Sequence, residues 1–200
     1  MSPTEYTYQT ITAACIAILC TTAGCGPERP QVSVSHEDNA PNVIAESEAC
    51  PVLEQVLDHL ISLHSLTDIV IERELSSPAY LSDISVNDVP IEMMAVLTHQ
   101  AGGSKPFSCD LNPSVNSIVR EQSETRQVIQ DGGWPAFYER YSTNSSLIHL
   151  SQPVIDRVGT LSIVFVSISI GPWARHEYIV VLRRRAGQWL VEKKVIISLT

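Results

Sequence analysis

Basic residues are scarce in this chain: 13 Lys and Arg stand against 22 Asp and Glu, and its 200 residues carry a formal net charge of −9. A protein of that sign repels phosphate, whose neutralisation supplies most nonspecific nucleic-acid affinity, so no nucleic-acid partner is expected. Also missing is an apolar run of the roughly 20 residues that a permanent membrane-spanning helix needs. No CxxC pair occurs, and the cysteines lack zinc-ligand spacing, which removes the common thiol motifs for metal and redox chemistry. Ser142, Ser145, Ser146 and Ser151 lack the G-x-S-x-G context that puts a nucleophile on a sharp turn. His59 and His64 lie five apart, not the four that would put two imidazoles on one metal-binding helix face. No cofactor and no metal are therefore expected.

What is present at the N-terminus is an export pattern. Apolar residues run from Ile11 through Ala13, Ala14, Cys15, Ile16, Ala17, Ile18 and Leu19 to Cys20, the length of a signal-peptide core. Gly26 and Pro27 follow the run and oppose any helix beyond it. Between them, Thr22-Ala23-Gly24-Cys25 resembles the lipobox of bacterial lipoproteins, in which the cysteine receives acyl chains and becomes the first mature residue. The resemblance implies lipidation at Cys25 and an address in the cell envelope, on the outer membrane or the periplasmic face. Two residues depart from the pattern. The first ten residues hold Glu5 and no Lys or Arg, and Thr22 stands where lipoproteins usually have Leu. Cleavage after Ala23 would instead release a soluble periplasmic or secreted protein.

The expected organisation is a signal peptide over 1–24, a flexible tether over 25–46 and a single domain over 47–200. The tether holds Pro27, Pro30, Pro41 and His36-Glu37-Asp38 with no sustained apolar period, so it cannot bury enough surface to offset the entropy of ordering. Several acyl chains on Cys25 would hold the domain firmly at a membrane. About 150 residues remain for the domain, enough for one core. Charge is unevenly spread: residues 26–100 carry thirteen acids and two bases, residues 101–200 eight acids and eleven bases. Either an acidic helical half lies beside a mildly basic sheet, or the C-terminal half meets an anionic partner. With Cys15 and Cys20 in the signal and Cys25 acylated, Cys50 and Cys109 remain as a candidate disulfide or two buried thiols.

Within the domain, Val52, Leu53, Val56, Leu57, Leu60, Ile61 and Leu63 recur at helical spacing and predict an amphipathic helix with Pro51 in its first turn. Asp68–Leu75 reads as a strand. Pro90 opens a shorter helix that Gly102-Gly103 ends. Ile118-Val119 suits a short strand, and Ser123–Ile129 and Trp134–Tyr141 suit two short helices. Strands are expected over Ser146–Ser151, Leu161–Ile170, Tyr178–Arg184 and Gln188–Leu199, with turns at Val158-Gly159-Thr160 and Arg185-Ala186-Gly187. Ile179–Leu182 is apolar on both faces and should lie centrally. Short connections favour an antiparallel meander, giving an α+β fold: a curved sheet with the N-terminal helix and the short helices packed on one face.

The order Gly133-Trp134-Pro135-Ala136-Phe137-Tyr138-Glu139-Arg140-Tyr141, Leu150-Ser151, Val164-Phe165-Val166-Ser167, Gly171, Tyr178–Leu182 and Gly187-Gln188-Trp189 resembles a group of uncharacterised bacterial exported proteins with a "GW..FY..Y … LS … V.VS … G … Y.V.L … G.W" pattern. The resemblance covers about residues 50–200 and is carried mainly by those after 130. It implies an envelope protein and supplies no activity. Many such proteins carry a cysteine pair near the turn after the long strand; here Ile168-Ser169-Ile170-Gly171-Pro172-Trp173 has none, so metal or redox chemistry at that turn is excluded.

Candidate chemistry concentrates near that turn. Trp173, Arg175, His176 and Glu177 form the densest polar group beside an apolar strand, but neighbouring strand residues point to opposite faces, so His176 and Glu177 are not expected to work as a pair. His149 alternates with Ile148 and Leu150 and should face away from them. Arg183-Arg184-Arg185 caps a hairpin, where charge blunts a sheet edge or meets an anion or lipid headgroup. Trp134 and Trp189 are expected as core anchors. The leading expectation is a lipid-anchored envelope protein whose domain binds a protein or small ligand without catalysis. The alternatives are an envelope hydrolase using His149 or His176-Glu177, and a ligand-binding curved-sheet cone similar to the nuclear-transport-factor fold, with an apolar pocket between helix 51–64 and the terminal sheet.

Overall fold

The computed structural model describes residues 46–72, 79–100, 109–111 and 113–199. The signal peptide, Cys25, the tether and the Gly102-Gly103 stop all lie outside the described residues, which belong to one unit, Glu37–Thr200.

Helix α1 covers Glu46–His64, so Pro51 sits in its second turn rather than its first. Val52, Leu53, Val56, Leu57 and Leu60 are fully buried, as the i, i+3, i+4 spacing requires. Strand β1 covers Asp68–Glu72; the expected continuation to Leu75 lies outside the described residues. A 3-10 helix (Ala79–Asp83), α2 (Ile91–His99) and β2 (Asn116–Arg120) follow. The two expected short helices are one helix, α3 (Gln122–Tyr141), broken at Gly133, where φ 67° and ψ −162° leave the helical region. The chain ends in β3 (Ser145–Leu150), β4 (Val154–Ile155), β5 (Leu161–Ser169), β6 (Arg175–Arg185) and β7 (Gln188–Leu199).

These strands form a seven-stranded mixed sheet of order β2-β1-β3-β5-β6-β7, with β4 paired to β5. The C-terminal strands pair antiparallel as the short connections dictate. Only residues 186–187 join β6 to β7, and positive φ at both Ala186 (50°) and Gly187 (85°) matches a two-residue hairpin loop of type I′. Beyond the expected meander, β1 lies parallel to both β2 and β3. Those pairings need long crossovers; the chain between β1 and β2 spans 73–115, and α3 carries it from β2 to β3.

Helices cover both faces of the sheet, which corrects the one-face expectation. The reason is in β5 and β6, where successive residues Leu161–Ile168 and Glu177–Leu182 are all buried, so both alternations need cover. On one face, α1 packs over Ile69, Ile71, Ile148, Val164, Val166 and Val180. On the other, Leu81, Met93, Met94 and Leu97 of the 3-10 helix and α2 cover Ile163, Phe165, Ile179 and Val181, while Phe137 of α3 packs with Val70 and Leu147. Trp189 is buried under α1's face as expected; Trp134 is half-buried beside Phe137, with ring centroids 5.0 Å apart. Cys50 on α1 and Cys109 are disulfide-bonded with Cα atoms 5.5 Å apart, joining the helix to the segment leading into β2.

Candidate functional site

On the α2–α3 face, the strand register places Glu72, His149, Ser167 and Glu177 side by side on β1, β3, β5 and β6. This polar row separates the Phe137 cluster from the Phe165 cluster. Both carboxylates are buried, Glu72 at 2% and Glu177 at 5% exposure, and a buried charge must be partnered to be tolerated. Glu72 Oε1 accepts a hydrogen bond from the buried Thr125 hydroxyl of α3. Its Oε2 lies 2.7 Å from His149 Nδ1, close but without an aligned hydrogen bond. The His149 side chain is 26% exposed, and no described residue hydrogen-bonds its Nε2. Glu177 Oε1 lies 2.8 Å from Arg175 Nη2, and its Oε2 accepts a hydrogen bond from the Tyr80 hydroxyl. Burial, and then the hydrogen bond it donates to the carboxylate, push the Tyr80 phenol well above its usual range. Arg175 Nε donates to Ser167 Oγ at 2.9 Å, linking the two halves of the row.

His176 points the other way, so the structure does not bring His176 and Glu177 together. It joins a second cluster on the α1 face: the Tyr178 hydroxyl lies 3.1 Å from His176 Nδ1 and 3.2 Å from His64 Nε2 in the last turn of α1. The two imidazole centroids are 5.4 Å apart, and Lys194 Nζ sits 4.3 Å from the Tyr178 ring centroid. His64 is thus partly exposed but engaged by a side chain of β6. Burial first, then the positive charges of His176, Lys194 and His59, hold it below the usual histidine range. Burial and Lys194 lower His59 likewise, and burial raises the Tyr178 phenol.

The two ends of the sheet differ. At one end the β5–β6 turn exposes Trp173 at 88%. Ile170, Leu63, Ile196 and Leu199 are exposed there too, with Leu199 opposite His176 and Ile196 opposite Tyr178. At the other end Arg183, Arg184 and Arg185 cap β6, about 35 Å away by strand rise. Arg183 pairs with Glu192 at 3.0 Å and Arg185 with Glu192 at 3.6 Å, while Arg184 lies 3.8 Å from Glu48 and over the Trp189 ring. The triple-arginine run is therefore largely engaged by the protein's own groups. A cavity of about 340 Å³ opens there, lined by Glu48, Glu54, Gln55, Arg184, Trp189 and neighbours. It lies at the start of α1; between α1 and the sheet, where a cone would hold its apolar pocket, the described side chains are close-packed and buried.

The sequence places His149 on its strand but puts Arg175 and Glu177 ahead of a strand that in fact begins at Arg175, and it gives no hint of Thr125, Tyr80, Ser167 or the part played by His64. One signal was available: Ile69-Val70-Ile71 runs straight into Glu72, and an acid continuing a fully apolar strand must find a partner. Among the described residues, no helix is long and apolar enough to cross a membrane, and no group of three or more His, Cys, Asp and Glu is spaced to hold a metal ion. No protein-family model, no curated protein and no solved structure matches the chain.

Proposed function

We propose that this chain is a cell-envelope protein, lipid-anchored at Cys25 and tethered by residues 25–46, whose domain over 47–200 binds a protein or small-ligand partner without catalysis. The observation that carries the binding role is Trp173, 88% exposed at the tip of the β5–β6 turn. Leaving so much aromatic surface in water is unfavourable for an isolated domain, and tryptophan is among the commonest anchors of binding interfaces. Two residues on, Arg175 is exposed and is held at 2.8 Å by the buried Glu177, which keeps a cation near the turn. The envelope address is supported by the Thr22–Cys25 pattern, by the likeness to uncharacterised exported proteins, and by a disulfide of the kind that persists in oxidising compartments. Helix α1, to which the tether joins, begins beside Arg184, at the end of β6 opposite Trp173. A partner engaged by Trp173 would therefore meet the end of the sheet away from the tether's attachment.

Site-specific photocrosslinking in intact cells tests this reading. A probe at position 173 should capture a discrete species that a probe at Arg126, exposed on α3, does not. Absence of any 173-specific adduct counts against the binding role. Mass spectrometry of the mature N-terminus tests the anchor separately, and an unmodified or absent Cys25 rules it out.

The Glu72–His149 contact favours a second reading, acid–base catalysis. A carboxylate at Nδ1 orients the imidazole and leaves Nε2 to take or give a proton. Hydrolysis of ester or amide model substrates that is lost in both His149→Gln and Glu72→Gln would favour this reading over simple binding.

A further inference from the structure

We propose that His64, His176 and Tyr178 form a binding site for a divalent transition-metal ion on the α1 face, with Cu2+ and Zn2+ as the fitting ions. The site is distinct from the polar row and does not depend on the binding role assigned to Trp173.

The argument is geometric. Two ligands each about 2.0–2.1 Å from one ion, at angles between 90° and the tetrahedral value, lie about 2.9–3.4 Å apart. The Tyr178 oxygen is 3.2 Å from His64 Nε2 and 3.1 Å from His176 Nδ1. Both separations fit neighbouring ligands of one ion, and they are also those of the hydrogen bonds the same atoms make without it. The three donors come from rigid elements: His64 from the last turn of α1, His176 and Tyr178 from β6, where residues two apart share a face. Tyr178 is buried while both histidines are partly exposed, so solvent can reach the site and water can complete the coordination.

The donor set selects the ion. Two imidazoles and a phenol oxygen suit Cu2+ and Zn2+, whereas Mg2+ and Ca2+ prefer all-oxygen sets. Because the third donor is a tyrosine, the site differs from one built only of His, Cys, Asp and Glu. In the metal-free protein the same three atoms are held by hydrogen bonds through the Tyr178 hydroxyl, so binding exchanges those bonds for bonds to the ion, Tyr178 binding as phenolate and its proton leaving to solvent. Lys194, 4.3 Å from the Tyr178 ring centroid, places a positive charge beside the site and opposes a dication. Its removal should therefore tighten binding.

The test uses the full chain with its Cys50–Cys109 bond intact and its other thiols alkylated, titrated with Cu2+ or Zn2+ by calorimetry. The expected result is loss of a binding event in His64→Gln and in His176→Gln, each weakening it at least tenfold with an unchanged circular dichroism spectrum. Lys194→Gln should strengthen it severalfold, and His59→Gln should leave it as it is. Electron paramagnetic resonance of the Cu2+ form should show coupling to two imidazole nitrogens, reduced to one in either histidine variant. Metal binding that is the same in wild type, His64→Gln and His176→Gln overturns the proposal, as does a protein that binds neither ion.

Discussion

Glu72 and His149 are direct partners across the parallel pair β1 and β3, with Oε2 of the buried carboxylate 2.7 Å from Nδ1 of the half-buried ring. Because Glu72 also takes the Thr125 hydroxyl, one carboxylate ties β3 and α3 to β1. Removing the imidazole leaves a buried carboxylate with only the threonine. We expect His149→Ala and Glu72→Gln each to destabilise the domain, and their double-mutant cycle to show a coupling of about 1–2 kcal/mol. Urea unfolding of the four proteins measures this, and additive effects would show that the contact carries no coupling.

The disulfide makes a second prediction. Cys50 and Cys109 are 59 residues apart in sequence, so the bond closes a long loop in the unfolded chain, worth roughly 4 kcal/mol in the chain-entropy model. Reduction, or the double substitution of both cysteines by Ala, should lower the unfolding free energy by about that amount. An effect below about 1 kcal/mol would place the constraint elsewhere than in the unfolded ensemble.

What made these contacts hard to foresee is the register that creates them. Helix α1 and strands β5 to β7 were legible because their signals are local: apolar residues at i, i+3 and i+4, alternation in a strand, glycine in a tight turn. The polar row requires β1 to lie beside β3, although α2, β2 and α3 intervene in sequence. Nothing within either strand specifies that partner. The Gly133 break was half legible, since Ser123–Ile129 and Trp134–Tyr141 read as two helices but not as one continuing into the other across a single left-handed residue. The contacts of His64 were not legible for a related reason. Its surroundings come from β6, more than a hundred residues away, and a helix-spacing argument sees only α1.

The packing of His64 gives stability a pH dependence of definite sign. Burial, with His176, Lys194 and His59 facing it, lowers its folded-state value below the 6.5 of an ordinary histidine. Between the lowered folded value and 6.5 the unfolded chain binds more protons than the native one, so stability rises with pH there. The contribution is complete above about pH 6.5 and is lost as pH falls through the folded value. His59 acts in the same direction. Urea midpoints compared at pH 7.5 and 5.0 should fall on acidification, and by less in His64→Gln. An equal fall in both proteins would assign the dependence to other groups.

Gly133 fixes the break in α3 through a backbone conformation, φ 67° and ψ −162°, that side chains with a Cβ adopt only at a cost. The break sets the direction from which Trp134, Phe137 and Tyr138 approach Val70 and Leu147. Gly133→Ala should therefore destabilise the domain by about 1–3 kcal/mol and alter the near-ultraviolet signal of the aromatic cluster. A variant as stable as wild type would mean that α3 tolerates another path into that core.

Trp173 separates a binding role from a structural one. At 88% exposure its indole contributes little to the core, so Trp173→Ala should change stability by no more than about 0.5 kcal/mol. Its neighbour Gly171 differs: its φ is 96°, and an added Cβ would stand 3.0 Å from the Tyr138 hydroxyl. Gly171→Ala should therefore disturb both the turn and the contact with α3. If Trp173 is an anchor, Trp173→Ala retains full stability and loses the partner species seen in the cell. Tyrosine at position 173, which keeps an aromatic face, should restore part of it. A Trp173→Ala protein that keeps its partners would transfer the binding role to another surface, and one that unfolds would show that the indole supports the β5–β6 turn instead.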